Sequence, residues 1–105
     1  MKVLLRDLAS VIRSKNSGPY ELTLDILFKD VENFRRVADA NVINEALIAE
    51  LYRLQPEQVL SVLVFPAARA IKATIVRPMP SGALGERDVY GAQQHVPLMN
   101  LMLDL

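Results

Sequence analysis

From residue 4 to residue 13, apolar side chains recur at helical spacing: Leu4, Leu5, Leu8, Val11 and Ile12, with Arg6, Asp7, Ser10 and Arg13 between them. This pattern predicts an amphipathic helix of about three turns. Asn16 or Gly18 suits the left-handed position that closes a helix, and Pro19 forbids its continuation. From residue 20 the period changes to two. Tyr20, Leu22, Leu24, Ile26 and Phe28 fall on one side of a strand, and Glu21, Thr23, Asp25 and Leu27 on the other. Asp30 then suits the N-cap of a second helix with Val31, Phe34, Val37 and Ala38 as its stripe, which Asn41 can end. Asn44 suits the cap of a third, carrying Leu47, Ile48, Leu51 and Tyr52. Gln55-Pro56-Glu57 is a turn.

Residues 59–65 are almost continuously apolar, as expected of a strand covered on both faces and central in its sheet. A short connection, residues 66–68, leads to an alternating strand, residues 69–77, and the two strands predict a hairpin. Pro78, Pro80, Gly82 and Gly85 mark a loop. Residues 96–105 alternate again and predict a final strand. The element order mixes helices and strands without a regular βαβ repeat. It predicts an α+β fold: one two-layer domain, residues 1–105, with a mixed sheet of about four strands and about three helices mainly on one face.

Composition narrows the function more than the fold. A chain of 105 residues is enough for one domain. Its 12 basic and 12 acidic residues cancel, which argues against a nucleic-acid binder. There are no cysteines, so disulfides and thiolate metal sites are excluded. The N-terminus lacks the apolar core of a signal peptide, and no apolar run approaches the ~20 residues of a membrane span, which makes the cytoplasm the expected location. No phosphate-binding loop, dinucleotide glycine fingerprint or nucleophile elbow is present, and no cofactor is expected.

Chemistry-bearing side chains concentrate in two runs. In the first, residues 13–25, Lys15, Asn16 and the backbone around Gly18 could present an ammonium, an amide and N–H groups to an anion; an ordinary helix cap explains the same residues except Lys15. Glu21 and Asp25 could do acid-base work, or could form salt bridges with Lys15, Arg69 or Lys72 on a solvated strand face. In the second run, residues 87–95, His95 could act as a general base near Asp88 or Glu21, or serve as a structural hydrogen-bond partner. Arg87, Tyr90, Gln93 and Gln94 stand upstream of it, and a lone histidine makes no metal site. The two runs are expected to meet in one site, because both are rich in groups that are costly to bury unpaired.

The runs Leu5-Arg6-Asp7-Leu8-Ala9, Ser14-Lys15-Asn16-Ser17-Gly18-Pro19-Tyr20-Glu21-Leu22-Thr23-Leu24-Asp25, Arg69-Ala70-Ile71-Lys72-Ala73-Thr74 and Asp88-Val89-Tyr90-Gly91-Ala92-Gln93-Gln94-His95 resemble the small AtuA-related family, a domain of unknown function of about this length. Ser17 and Tyr20 depart mildly from its pattern, standing where alanine and phenylalanine are common. The resemblance implies a companion, since members are typically encoded beside, or fused to, a large protein resembling AtuA of acyclic terpene utilisation. It implies a small subunit or domain of a two-component catabolic enzyme acting on carboxylates or acyl-CoA thioesters; hydro-lyase or isomerase chemistry, which needs no redox cofactor, fits the missing nucleotide motifs. On that reading His95, Glu21, Asp25 and Lys15 are the candidate catalytic groups. Asn16, Gly18, Arg69, Lys72, Arg87, Tyr90, Gln93 and Gln94 are the candidate substrate contacts, with no metal. A non-catalytic assembly or regulatory module and a free-standing small-molecule binding domain are the competing readings. An obligate or near-obligate partner, self or AtuA-like, is expected, because zero net charge and an apolar C-terminal run, Leu98 to Leu105, leave surface to cover; the alternative is that the loop from Arg77 to Val96 folds back over that face and closes the monomer.

Overall fold

A computed structural model describes residues 2–18, 20–76 and 96–105. Lys2–Leu4 is β1, Leu5–Leu8 a single helical turn, α1, and Ala9–Gly18 a long strand, β2. Glu21–Phe28 is β3, Val31–Ala40 and Glu45–Tyr52 are helices α2 and α3, and Val59–Phe65 and Ala70–Val76 are β4 and β5. Val96–Met99 forms a helical turn, α4, before β6, Met102–Asp104. Short 3-10 turns, Pro56–Gln58 and Pro66–Ala68, bracket β4.

The main sheet has the order β2-β3-β5-β4, and β1 pairs separately with β6. The α+β class and the helix-covered sheet are as expected. The sheet is antiparallel at every pairing rather than mixed, because β5 lies between β3 and β4 and runs against both. β3 is the axis of the core. Its Leu22, Leu24, Ile26 and Phe28 are at most 2% exposed, and they pack with Ile71, Ala73 and Ile75 of β5 beneath Phe34 and Val37 of α2 and Ile48 of α3. The Phe28 and Phe34 rings meet edge to face at 5.8 Å.

Both long helices begin where the sequence places them, and α2 also ends there. The Asn33 N–H donates to Asp30 Oδ1 at 2.7 Å, and the Leu47 N–H donates to Asn44 Oδ1 at 2.9 Å. Asn41 ends α2 in the left-handed region at φ 52°. The Gln55 turn is closed in part by its own N–H donating to Gln58 Oε1 at 2.8 Å.

Three further expectations are corrected. The N-terminal helix stops after one turn. Leu5 and Leu8 satisfy a helical repeat, but from Val11 onward the chain alternates, with Ile12, Ser14 and Asn16 facing the helices and Val11, Arg13 and Lys15 facing away. β-branched Val11 and Ile12 suit this pleated surface, and pairing with β3 supplies the backbone bonds that an isolated short helix would have to supply alone. Asn16 and Gly18 are therefore strand residues and close no helix.

Second, β4 is an edge strand, not a central one, and Leu60, Leu63, Val64 and Phe65 are exposed. An uninterrupted apolar run carries no information about which neighbours flank it. Third, residues 96–105 are not one strand. Pro97 sits in the first turn of α4, where its missing N–H costs nothing. Leu98 is fully buried, and the Leu5 N–H donates to the Leu101 carbonyl at 2.9 Å before β6 pairs with β1. The loop expected after β5 lies outside the described residues.

Candidate functional site

The helices cover one face of the main sheet. Cross-strand pairs stand directly opposite one another, so strand register sorts the other face into rungs. Val11, Leu27, Ala70 and Phe65 form an apolar rung. Arg13, Asp25, Lys72 and Leu63 form a charged rung beside it. Lys15, Thr23, Thr74 and Ser61 form a polar rung beyond that. The three rungs descend from period-two alternation in four separate strands, which is why no single stretch of sequence displays them.

Asp25 is the centre of the charged rung. Its side chain is only 14% exposed, while Arg13 and Lys72 reach over it from either side and remain largely in solvent. Arg13 Nε donates to Asp25 Oδ2 at 3.1 Å. Lys72 Nζ lies 3.9 Å from Oδ1, an ion pair beyond hydrogen-bond length, and Oδ1 accepts no hydrogen bond from the described residues. Thr23 Oγ1 donates to the Lys15 carbonyl at 3.1 Å, tying β2 to β3 one rung further on. The Lys15 ammonium has no carboxylate partner among the described residues. Among the described residues, Arg13 and Lys72 pair with Asp25 and Lys15 lines the same depression, so three cations stand around one carboxylate there.

Two shallow depressions flank the charged rung and share Arg13, Asp25 and Lys72. One lies over Leu27, Ala70 and Phe65, and the other over Lys15, Ser17 and Thr23. A guanidinium carries five N–H donors, and Arg13 spends one on Asp25. Arg13, Lys15 and Lys72 are thus placed to receive an anionic group at the polar side, with apolar surface next to it.

Of the residues singled out from sequence, the sheet brings Lys15, Asp25 and Lys72 together on the open face at one depression, which Asn16 borders although strand alternation turns it toward the helices. Glu21 sits at the exposed start of β3, four residues from Asp25 along the strand, or roughly 13 Å at the usual rise, so the two carboxylates do not form a pair. Arg69 holds the left-handed position at φ 51° in the β4–β5 connection, toward the apolar rung and away from Lys15. Gly18 ends β2 with open space where a side chain would stand. Arg87, Tyr90, Gln93, Gln94 and His95, and with them the meeting of the two polar runs, lie outside the described residues. Arg13, Thr74, Ser61 and Phe65 were not singled out as site residues. The alternation of residues 11–16 was the signal for Arg13, masked by the helical repeat that precedes it. No group of three or more metal-ligating side chains occurs among the described residues. Away from this face, burial against the core pushes the Tyr52 phenol above its ordinary range.

No helix among the described residues is long and apolar enough to cross a membrane. No curated protein and no solved structure matches the chain. A family model described as a domain of unknown function does match it, over residues 5–102, a span that takes in both polar runs and every strand of the main sheet. The chain accordingly belongs to the DUF4387 family of domains of unknown function.

Proposed function

We propose that this chain is the small subunit of a two-component catabolic enzyme with an AtuA-like large partner, acting in the cytoplasm. On this reading its open sheet face supplies the carboxylate- or acyl-CoA-binding part of a site for hydro-lyase or isomerase chemistry. The observation that supports the reading is the charged rung together with Lys15 of the neighbouring polar rung. Arg13, Lys15 and Lys72 outnumber Asp25 on a surface that the chain's own helices leave uncovered. Cations held on strands are positioned more firmly than cations on loops, and charge-assisted hydrogen bonds to a carboxylate are the stronger kind.

In this reading Asp25 holds Arg13 and Lys72 apart and orients them, while Lys15 and the outer nitrogens of Arg13 meet the substrate anion. Proton transfer belongs to His95, with Glu21 as the described carboxylate nearest the open end of β3. Apolar surface at Leu27, Ala70 and Phe65 suits the non-polar part of an acyl substrate.

The test is co-purification of the chain with the AtuA-like protein, followed by Lys15→Ala and His95→Ala variants. Activity lost with the complex intact supports a catalytic subunit. A complex lost in both variants points instead to an assembly module that uses the same polar runs as grip. Failure of any carboxylate or acyl-CoA to bind either the chain or the complex would remove the ligand-binding reading.

A further inference from the structure

The two edges of the main sheet differ in how they are protected. β2, at one edge, carries Arg13 and Lys15 and has register shifts near each end, at Ala9/Val11 and Asn16/Gly18. Charged side chains and bulges are the usual devices that keep an edge from pairing with another chain. β4, at the other edge, has a single register shift near its start, between Val59 and Ser61. From Ser61 to Phe65 it runs in unbroken register with β5, carries no charge and contains no proline. Among the described residues no strand pairs with its outer side. Leu63 is 50% exposed, Val64 47% and Phe65 42%, so both faces of this edge are apolar.

We propose that β4 is a dimerisation strand, pairing antiparallel with β4 of a second copy across a two-fold axis near Leu63. The choice of a second copy rests on self-complementarity. The paired stretch is uncharged, so a two-fold sets no like charges opposite each other. The strand is preceded by Glu57 and followed by Arg69, both exposed. An antiparallel partner brings the acidic end of one copy to the basic end of the other, whereas a parallel partner would bring acid to acid. The product is one eight-stranded sheet, four strands from each copy, in which Leu63 and Phe65 of both copies share the open face and the charged rungs lie on either side of the junction. This inference stands on the edge geometry and does not depend on the proposed function.

The intact chain at micromolar concentration is expected to sediment as a dimer. Amide exchange at Val62 to Val64 should slow as concentration rises, while exchange in β2 should not change. Leu63→Lys and Leu63→Glu, at a solvent-exposed position, should each weaken self-association by roughly a hundredfold, since like charges are then brought together across the interface. Mixing the two variants should restore a dimer containing one copy of each. The unmodified chain requires no variant to fold and decides the question by itself. A monomer at every accessible concentration would overturn the proposal. So would a dimer whose β4 amides exchange at a concentration-independent rate, because its interface would lie elsewhere.

Discussion

Asp25 shows how a single side chain acquires its role. On β3 it is one of several polar residues in alternation, and only the register of β2 and β5 sets Arg13 on one side of it and Lys72 on the other. Replacing it with Asn removes the charge and leaves two cations facing each other. Because both cations are solvent-exposed, Asp25→Asn should lower stability by only about 1 kcal/mol, read as a lower urea midpoint with unchanged slope. Tyr52 gives a pH dependence whose sign is fixed by its burial. The phenol ionises near pH 10 in the unfolded chain, and burial raises that value in the fold. Above that pH the unfolded state holds fewer protons than the folded state. The contribution is intact below about pH 10 and is lost as pH rises further, with a limiting slope of about 1.4 kcal/mol per pH unit. Urea titrations from pH 8 to 11 on the chain and on Tyr52→Phe should diverge only at the alkaline end, with the variant falling less steeply.

Among the elements, α2 and α3 are the ones whose local chemistry and tertiary placement agree most closely. Each has a side-chain cap and a left-handed terminus, at Asn41 and at Arg53. Asp30→Ala removes the acceptor for the Asn33 N–H and should cost about 1 kcal/mol, again measurable in urea. The strands behave differently, because their stability is set by neighbours. β3 and β5 are flanked on both sides within one chain, so in the dilute, dissociated chain hydrogen exchange at Leu22 to Ile26 and Ile71 to Ile75 should be the slowest. Exchange that is as slow in β2 as in β3 would contradict the strand order. The apolar content of β4 had pointed to it as the central strand, where exchange would be slow. Its position at the edge, with one pairing instead of two, is what transfers that expectation to β3 and β5.

At the scale of the whole molecule, the two ends of the chain are fastened together. β1 pairs with β6, and Leu103 stands opposite Val3 at 3% exposure, inside the same apolar cluster as Leu5 and Leu98. Leu103→Ala opens a cavity between the small sheet and the main core, and should cost about 2–4 kcal/mol. The loss should appear as one cooperative transition at a lower urea midpoint. Separation into two transitions would mean that the two-stranded sheet is a satellite rather than part of the core.

Elements governed by local chemistry were legible in the sequence: the capped helices from Asp30 and Asn44, the Gln55 turn, the alternating β3 strand and the β4–β5 hairpin. Their signals are side chains bonding to nearby backbone and periodicities a few residues long, both of which are properties of the chain itself. The limit of helix α1 was not legible, since Leu4 to Ile12 satisfies two periods and only pairing with β3 selects between them. The strand order was not legible either, because β4 is more apolar than β5 and yet lies outside it. The candidate site was half visible. Lys15, Asn16, Asp25 and Lys72 stood out as polar residues in strand-like or turn-like sequence. Arg13, the closest cation to Asp25, did not, because it joins the site through a cross-strand register that no local stretch encodes. Local sequence determined what each segment could become, and long-range backbone pairing decided which side chains share a face, because hydrogen bonds between strands join residues that the chain itself keeps far apart.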